Sequence, residues 1–259
     1  MKRAARVALL LLVVASAFTV LRVSGAPDRE ATSAGASASH PAGTDELGRD
    51  RARRGAEAFL LGMAGAGAAA AVATCLTAAA AFAAAFSRPP VRAVILYCSD
   101  LFLALPWLFL LMLVRSALPL RLSAGASALV SFGLLAALGW PIYVRSAAAR
   151  AAALRHTDWL LQARAGGMQP LRMLWVQVLP HVRPVLLTQF LLAVPMMLLA
   201  EANLGSLGLG VSDPMVSWGS LLGELASASQ GPGARWALLP LLVLVLTMFC
   251  VETFGAEEL

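Results

Sequence analysis

From residue 58 to residue 86 the chain carries no Asp, Glu, Lys or Arg, and alanine dominates the stretch. A helix needs about 20 apolar residues to cross a hydrocarbon layer of about 30 Å, so this run alone is long enough to span a bilayer. Comparable runs occupy residues 7–21, 93–114, 123–144, 185–199 and 236–254. Of the 259 residues, 59% are hydrophobic and only 13% charged, about half the charge an ordinary soluble domain displays. Such a chain cannot cover its apolar surface in water. Strand formers such as Ile, Thr and Tyr are scarce, and barrel strands would alternate apolar with polar residues. The expectation is an all-α membrane protein of about six transmembrane helices, or five if the first is cleaved.

The formal charge is +6. The arginines sit in short clusters between apolar runs, the pattern of loops held on one side of a membrane rather than the basic stripe of a nucleic-acid binder. The lipid bilayer is therefore an expected partner and nucleic acid is not. Cys75, Cys98 and Cys250 each lie inside an apolar run with no CxxC spacing and no nearby His, so neither zinc nor a disulfide framework is expected. No Ser/His/Asp set, carboxylate pair or GxxxxGK[ST] loop is present. The chain reads as a non-enzyme without metal or cofactor, one not expected to hydrolyse ATP itself.

The first run follows Lys2, Arg3 and Arg6 and precedes Val23-Ser24-Gly25-Ala26. Residues 1–23 fit a signal-like leader or a short first membrane helix. Residues 24–57 form a polar extracytoplasmic loop, 58–254 the membrane core, and 255–259 a short tail. Gly62, Gly65 and Gly67 suit close helix packing. Ser87-Arg88-Pro89-Pro90 ends the second helix. The next run holds Asp100, expected to pair with Arg88 or Arg92 since a charge facing lipid is costly, and Pro106, expected to kink its helix.

Residues 145–183 carry Arg145, Arg150, Arg155, Arg164, Arg172 and Arg183 against a single acid, Asp158. The positive-inside rule places this segment in the cytoplasm, and the N-terminus with it if the first run is a retained helix, an orientation that Lys2, Arg3 and Arg6 suit; Arg115 and Arg121 then fall outside, against the rule. The pattern is helical on both sides of Gly166-Gly167. Pro170 opens a second helix, Leu171, Leu174, Trp175 and Val178 share one face, and Pro180 ends it. His156 and His181 read as surface histidines. Glu201 and the run Leu204–Gly210 follow at the opposite side, where glycines permit tight turns.

Three blocks carry a resemblance. They are His40-Pro41-Ala42-Gly43-Thr44-Asp45-Glu46-Leu47-Gly48-Arg49-Asp50, then Ala163-Arg164-Ala165 with Gly167 and a later Leu179-Pro180, then Ala200 to Gly210 followed by Pro214 and Ser217-Trp218-Gly219. Asp100 with Leu103-Ala104-Leu105-Pro106 adds a weaker match. In this order they resemble the inner-membrane permeases of dipeptide-, oligopeptide- and nickel-type ABC importers, C-subunit branch, over most of residues 40–240. The resemblance implies a retained first helix, and a coupling helix between the fourth and fifth spans that docks on a cytoplasmic ATPase. The coupling residues it implies are Leu161, Gln162, Ala163, Arg164, Gly167, Leu171, Leu174, Trp175 and Pro180. It implies an outer gate facing a solute-binding protein at Glu201, Asn203, Gly205, Gly208, Gly210 and Trp218, and pathway candidates Asp100 and Pro106. Its implied partners are a homologous permease, two ATP-binding subunits and an extracytoplasmic binding protein, in a bacterial inner membrane. Leu161 and Gln162 stand where the family has glutamate and alanine, and the family's polar C-terminal stretch is not matched. These departures keep open an alternative: a degenerate, non-transporting scaffold or regulator of such a complex.

Overall fold

The computed structural model describes residues 2–118, 122–227 and 238–255. Among these every regular element is a helix, with no strand; residues 23–50 form a loop whose one isolated bridge joins Thr44 to Asp50. The helices are α1 (Lys2–Arg22), α2 (Arg51–Phe86), α3 (Pro89–Ala104), α4 (Trp107–Ser116), α5 (Ala124–Gly139), α6 (Pro141–Ala153), α7 (Asp158–Ala165), α8 (Pro170–Met173), α9 (Leu179–Ser206), α10 (Trp218–Ser227) and α11 (Leu239–Gly255). Two helices are long and apolar enough to cross a membrane, Arg51–Phe86 and the continuous Pro170–Ser206. Two bent pairs, α3 with α4 and α5 with α6, add up to two more, and shorter apolar helices lie at each end of the chain. The all-α membrane architecture is the one the sequence implies. Trp236, expected to open the last span, lies outside the described residues, as do Arg121 and tail residues 256–259.

Local chemistry sets the boundaries. Asp50 caps α2 by accepting from the Arg53 N–H, satisfying one of the orphan amides of a helix start. Alanine, the best helix former, carries α2 to Ser87, where the Pro89-Pro90 pair forces extended backbone at Arg88. The expected kink at Pro106 is instead a full break. Leu105 is extended, as residues before proline tend to be, and α3 and α4 meet at 88°. At the α5–α6 junction the bend is 41°. There the Thr77 hydroxyl donates to the Trp140 carbonyl at 3.0 Å and the Ser99 hydroxyl to the Pro141 carbonyl at 2.8 Å. Neighbouring side chains thus satisfy carbonyls at the helix break.

α2 and α9 form the centre. One core packs the first half of α2 with α5, the second half of α9, α10 and α11; a second packs the last turns of α2 with α6, α7 and the start of α9. Small residues set the spacing. A Cβ on Gly62 would come within 2.7 Å of the Trp218 ring, one on Gly65 within 2.4 Å of Phe132, and one on Gly139 within 2.4 Å of Met197.

Candidate functional site: the two ends of the bundle

At the arginine-rich end, α6 runs through a tight turn at Leu154–His156 into the eight-residue α7. The chain reverses at Gly166-Gly167, where Gly167 holds φ +74°, a left-handed conformation that glycine adopts without strain. Met168 N–H donates to the Ala163 carbonyl at 3.1 Å to close the turn. Pro170 then opens α8 as its first residue. α7 is held on three sides. Leu160 is fully buried in the second core, Trp159 stacks on His181 at 4.7 Å between centroids, and the Arg164 guanidinium lies 5.9 Å from the centre of the Phe86 ring. The Trp159–His181 stack has no sequence signal, because the two residues meet only when the chain reverses.

Two expectations fail here. Pro180 does not end its helix: Pro170–Ser206 is continuous. The backbone widens to a π turn over Leu174–Val178, where the Leu179 N–H donates to the Leu174 carbonyl. A widened turn relieves the clash that a proline ring makes with the carbonyl four residues back. The same widening breaks the expected apolar face. Val178 is fully buried, beside Met173, whereas Leu171 and Trp175 are 67% and 65% exposed. Leu161 and Gln162 are exposed, Ala163 and Leu174 partly so, and Arg164 faces solvent apart from its ring contact.

At the opposite end, α9 closes with Glu201, Asn203 and Gly205 in its final turns, and Gly208 turns the chain at φ +74°. Gly205, Gly210 and Gly219 pack backbone on backbone: a Cβ on Gly205 would come within 2.6 Å of the Gly219 Cα. That contact draws the start of α10 against Glu201, which is fully buried. Ser217 and the Gly219 backbone N–H face its carboxylate, though neither oxygen makes a hydrogen bond of regular geometry among the described residues. The positive end of the α10 dipole is thus the charge partner on offer. Trp218 is fully buried against Gly62, so it holds the structure together from inside. Ser206, Leu207 and Gly208 form the exposed tip.

Asp100 pairs with Arg145 rather than with Arg88 or Arg92. The contact is two-pronged, with Nε to Oδ1 at 2.6 Å, and ties α3 to α6 beside the Ser99–Pro141 bond. Both side chains stay partly exposed.

The 40–50 block, matched as a motif, turns out to be an electrostatic clasp. Arg49 Nε binds Asp45 at 2.6 Å, and Arg54, at the start of α2 and 5% exposed, lies 3.4 Å from Asp45. Both arginines also reach Glu224 on α10. A cleft of about 270 Å³ opens beside this network, walled by Leu47, Leu221 and Pro240. His40 sits between two carboxylates, its Nδ1 2.9 Å from Asp50 and its Nε2 3.6 Å from Asp28. Glu224 is far from these residues in sequence, and no local pattern points to it. Among the described residues no group of His, Cys, Asp and Glu could hold a metal ion.

The model of the family described as "binding-protein-dependent transport system inner membrane component" matches residues 60–255. A di/tripeptide transport system permease protein of Pseudomonas aeruginosa is 31% identical over 219 residues, covering 82% of this chain and 68% of its own length. A putative peptide transport system permease protein of Brucella suis is 29% identical over 221 residues, covering 83% and 70%. An oligopeptide transport system permease protein of Salmonella typhimurium is 30% identical over 132 residues; there the match covers 51% of this chain and spans less than half of the relative, 43%.

Proposed function

The chain belongs to the binding-protein-dependent transport system inner membrane components, and on that premise we propose that it is a permease subunit of an ATP-driven importer for peptides or related small solutes. The observation that carries this reading is the 154–183 element. It is a short helix, a glycine turn and a second helix, wedged against α2, α6 and α9 on one side and exposing apolar and arginine side chains on the other. A lever needs that construction: rigidly joined to the long helices and open to a partner. An excess of arginine supports a cytoplasmic position for it, and the Ser206–Gly208 tip then faces outward in a multi-pass inner-membrane topology.

In this reading the chain supplies half of a pathway shared with a homologous permease. ATP-binding subunits dock below, with one contact at α7–α8, and a solute-binding protein docks above near Asn203, Gly208 and the α10 end. The Asp100–Arg145 pair and the Pro106 break lie on α3, α4 and α6, helices that would line or shape the path. ATP-driven closure below would move the α7–α8 element together with α9, which is continuous with it through the π turn. Peptides as cargo rest on the relatives' names.

The test is a mild-detergent pull-down of the tagged full chain from its native membrane. Co-purification of a second permease and an ATPase is the expected result. Recovery without any ATPase, under conditions that keep related complexes whole, would refute the permease reading.

A further inference from the structure

The exposed side of the 158–176 segment is unlike the chain's lipid-facing surfaces. Between Val7 and Leu21 of α1 the exposed residues are apolar, Val7, Leu10, Leu11, Val14 and Phe18 among them. Here Leu161 (46% exposed), Leu171, Trp175 and Val176 (54%) alternate with exposed Gln162, Arg164 and Arg172. Large apolar side chains interleaved with cations are the composition of a protein interface, where tryptophan and arginine are the favoured anchors. Asp158 is the single acid between Arg145 and Arg183. Arg172 makes no ion pair or hydrogen bond among the described residues, so its charge is available to a partner.

We infer that this surface is built for a groove with an apolar floor and an acidic rim, so that the ATPase subunit serving this chain reads leucine, tryptophan and arginine and presents no cation opposite Leu161. The inference rests on the permease reading and names the chemistry of that reading's partner. The surface is preformed. The Trp159–His181 stack, buried Leu160 and the Arg164–Phe86 contact hold α7 before any partner arrives, so docking loses little conformational entropy. Charge complementarity fixes the register of the groove on the helices and discriminates against ATPases with basic rims. Burial of Trp175 and Leu171 supplies the affinity.

The test uses the whole complex, co-purified and reconstituted in nanodiscs of zwitterionic lipid. The readouts are retention of the ATPase during washing and ATPase stimulation by the loaded binding protein. Leu161→Glu and Arg172→Glu each weaken retention by about tenfold, while Leu161→Met and Arg172→Lys, which keep the apolar surface and the charge, retain more of the ATPase than the glutamate variants. Lysine substitutions at groove carboxylates of the ATPase lose retention with wild-type permease and regain it with Arg172→Glu. Both permease positions, Leu161 and Arg172, are exposed, and size-exclusion profiles check that the variants stay folded. A gain of stimulation in Leu161→Glu would overturn the inference, because it would reveal a cation waiting opposite. So would an Arg172→Glu effect that appears only in anionic nanodiscs, which would assign the arginine to lipid headgroups. If wild-type permease retains no ATPase, the permease reading itself fails; if it retains one and the variants match it, only the groove chemistry fails.

Discussion

Gly205 shows how much a single missing methyl group can decide. Its hydrogen is all that fits against the Gly219 backbone, and an added Cβ would lie 2.6 Å from the Gly219 Cα. Backbone cannot swing aside as a flexible side chain does. Gly205→Ala is therefore expected to destabilise the protein by about 1–3 kcal/mol, the range for overpacking, and to lower the midpoint of thermal unfolding in detergent. Gly67 is the matched control: nothing lies within 4 Å of its hypothetical Cβ. Gly67→Ala should raise the midpoint, since alanine is favoured over glycine within a helix by about 1 kcal/mol. At His40 the prediction concerns pH. The hydrogen bond to Asp50 is the main cause raising its pKa; desolvation opposes this, and the Asp28 carboxylate adds to it. A raised folded-state value means that the cation stabilises the loop. This contribution is complete below the unfolded value of about 6.5 and is lost as pH rises through the folded value. Hydrogen exchange of the 28–50 amides, corrected for intrinsic rate, should speed up across that window in wild type and stay flat in His40→Gln. Equal pH dependence in both would remove His40 from the account.

Helix breaks are where sequence and structure agree least, and each break has its own physical reason. Pro89-Pro90 and Pro141 behave as local chemistry dictates: each proline opens a helix, and the residue before the first pair is extended. At Pro106 the same rule acts more strongly than a kink: Leu105 is extended, and α3 and α4 part at 88°. Pro180 goes the other way. Burial of Val178 and Val182 in the second core outweighs the cost of a lost hydrogen bond, and the π turn absorbs the misfit. Proline shows that something must give; only packing decides what. The apolar runs were legible because hydropathy is a one-dimensional property. The glycine turn at Gly167 and the reversal of α7 were legible because they are local. The Arg54–Glu224 contact and the Trp159–His181 stack were not, because they join residues that meet only in the folded bundle. The α5–α6 bend supplies an element-scale prediction. Thr77→Val removes the donor to the Trp140 carbonyl while keeping the side chain's shape, and leaves a partly buried acceptor without that partner. A loss of about 1–3 kcal/mol is expected, read as a lower unfolding midpoint, with Thr77→Ser close to wild type.

For the whole molecule the deciding quantity is orientation, since the same bundle turned over would expose the α7–α8 lever to the wrong compartment. The charge count argues one way: five arginines and one acid between residues 146 and 183 favour the cytoplasm. Arg115, which that scheme sends outward, is 1% exposed and lies within the fold, so it contributes little to a rule that concerns charges in loops. The clasp of Asp45, Arg49, Arg54 and Glu224 ties the 40–50 loop to α2 and α10 at the other end. It mixes both signs and carries no excess of positive charge to oppose the assignment. Cysteine labelling tests it directly. In a background with Cys75, Cys98 and Cys250 replaced, Ala165→Cys reports on the exposed end of α7 and Leu207→Cys on the exposed tip beyond α9. A membrane-impermeant maleimide added to intact cells, with the outer envelope opened, should label Leu207→Cys at once and Ala165→Cys only after the membrane is permeabilised. The reverse pattern would put the lever outside, where no ATP-driven subunit can reach it, and the transport reading would fall with it. Labelling of both sites in intact cells would mean that the Pro170–Ser206 helix does not cross the membrane, despite being long and apolar enough to do so.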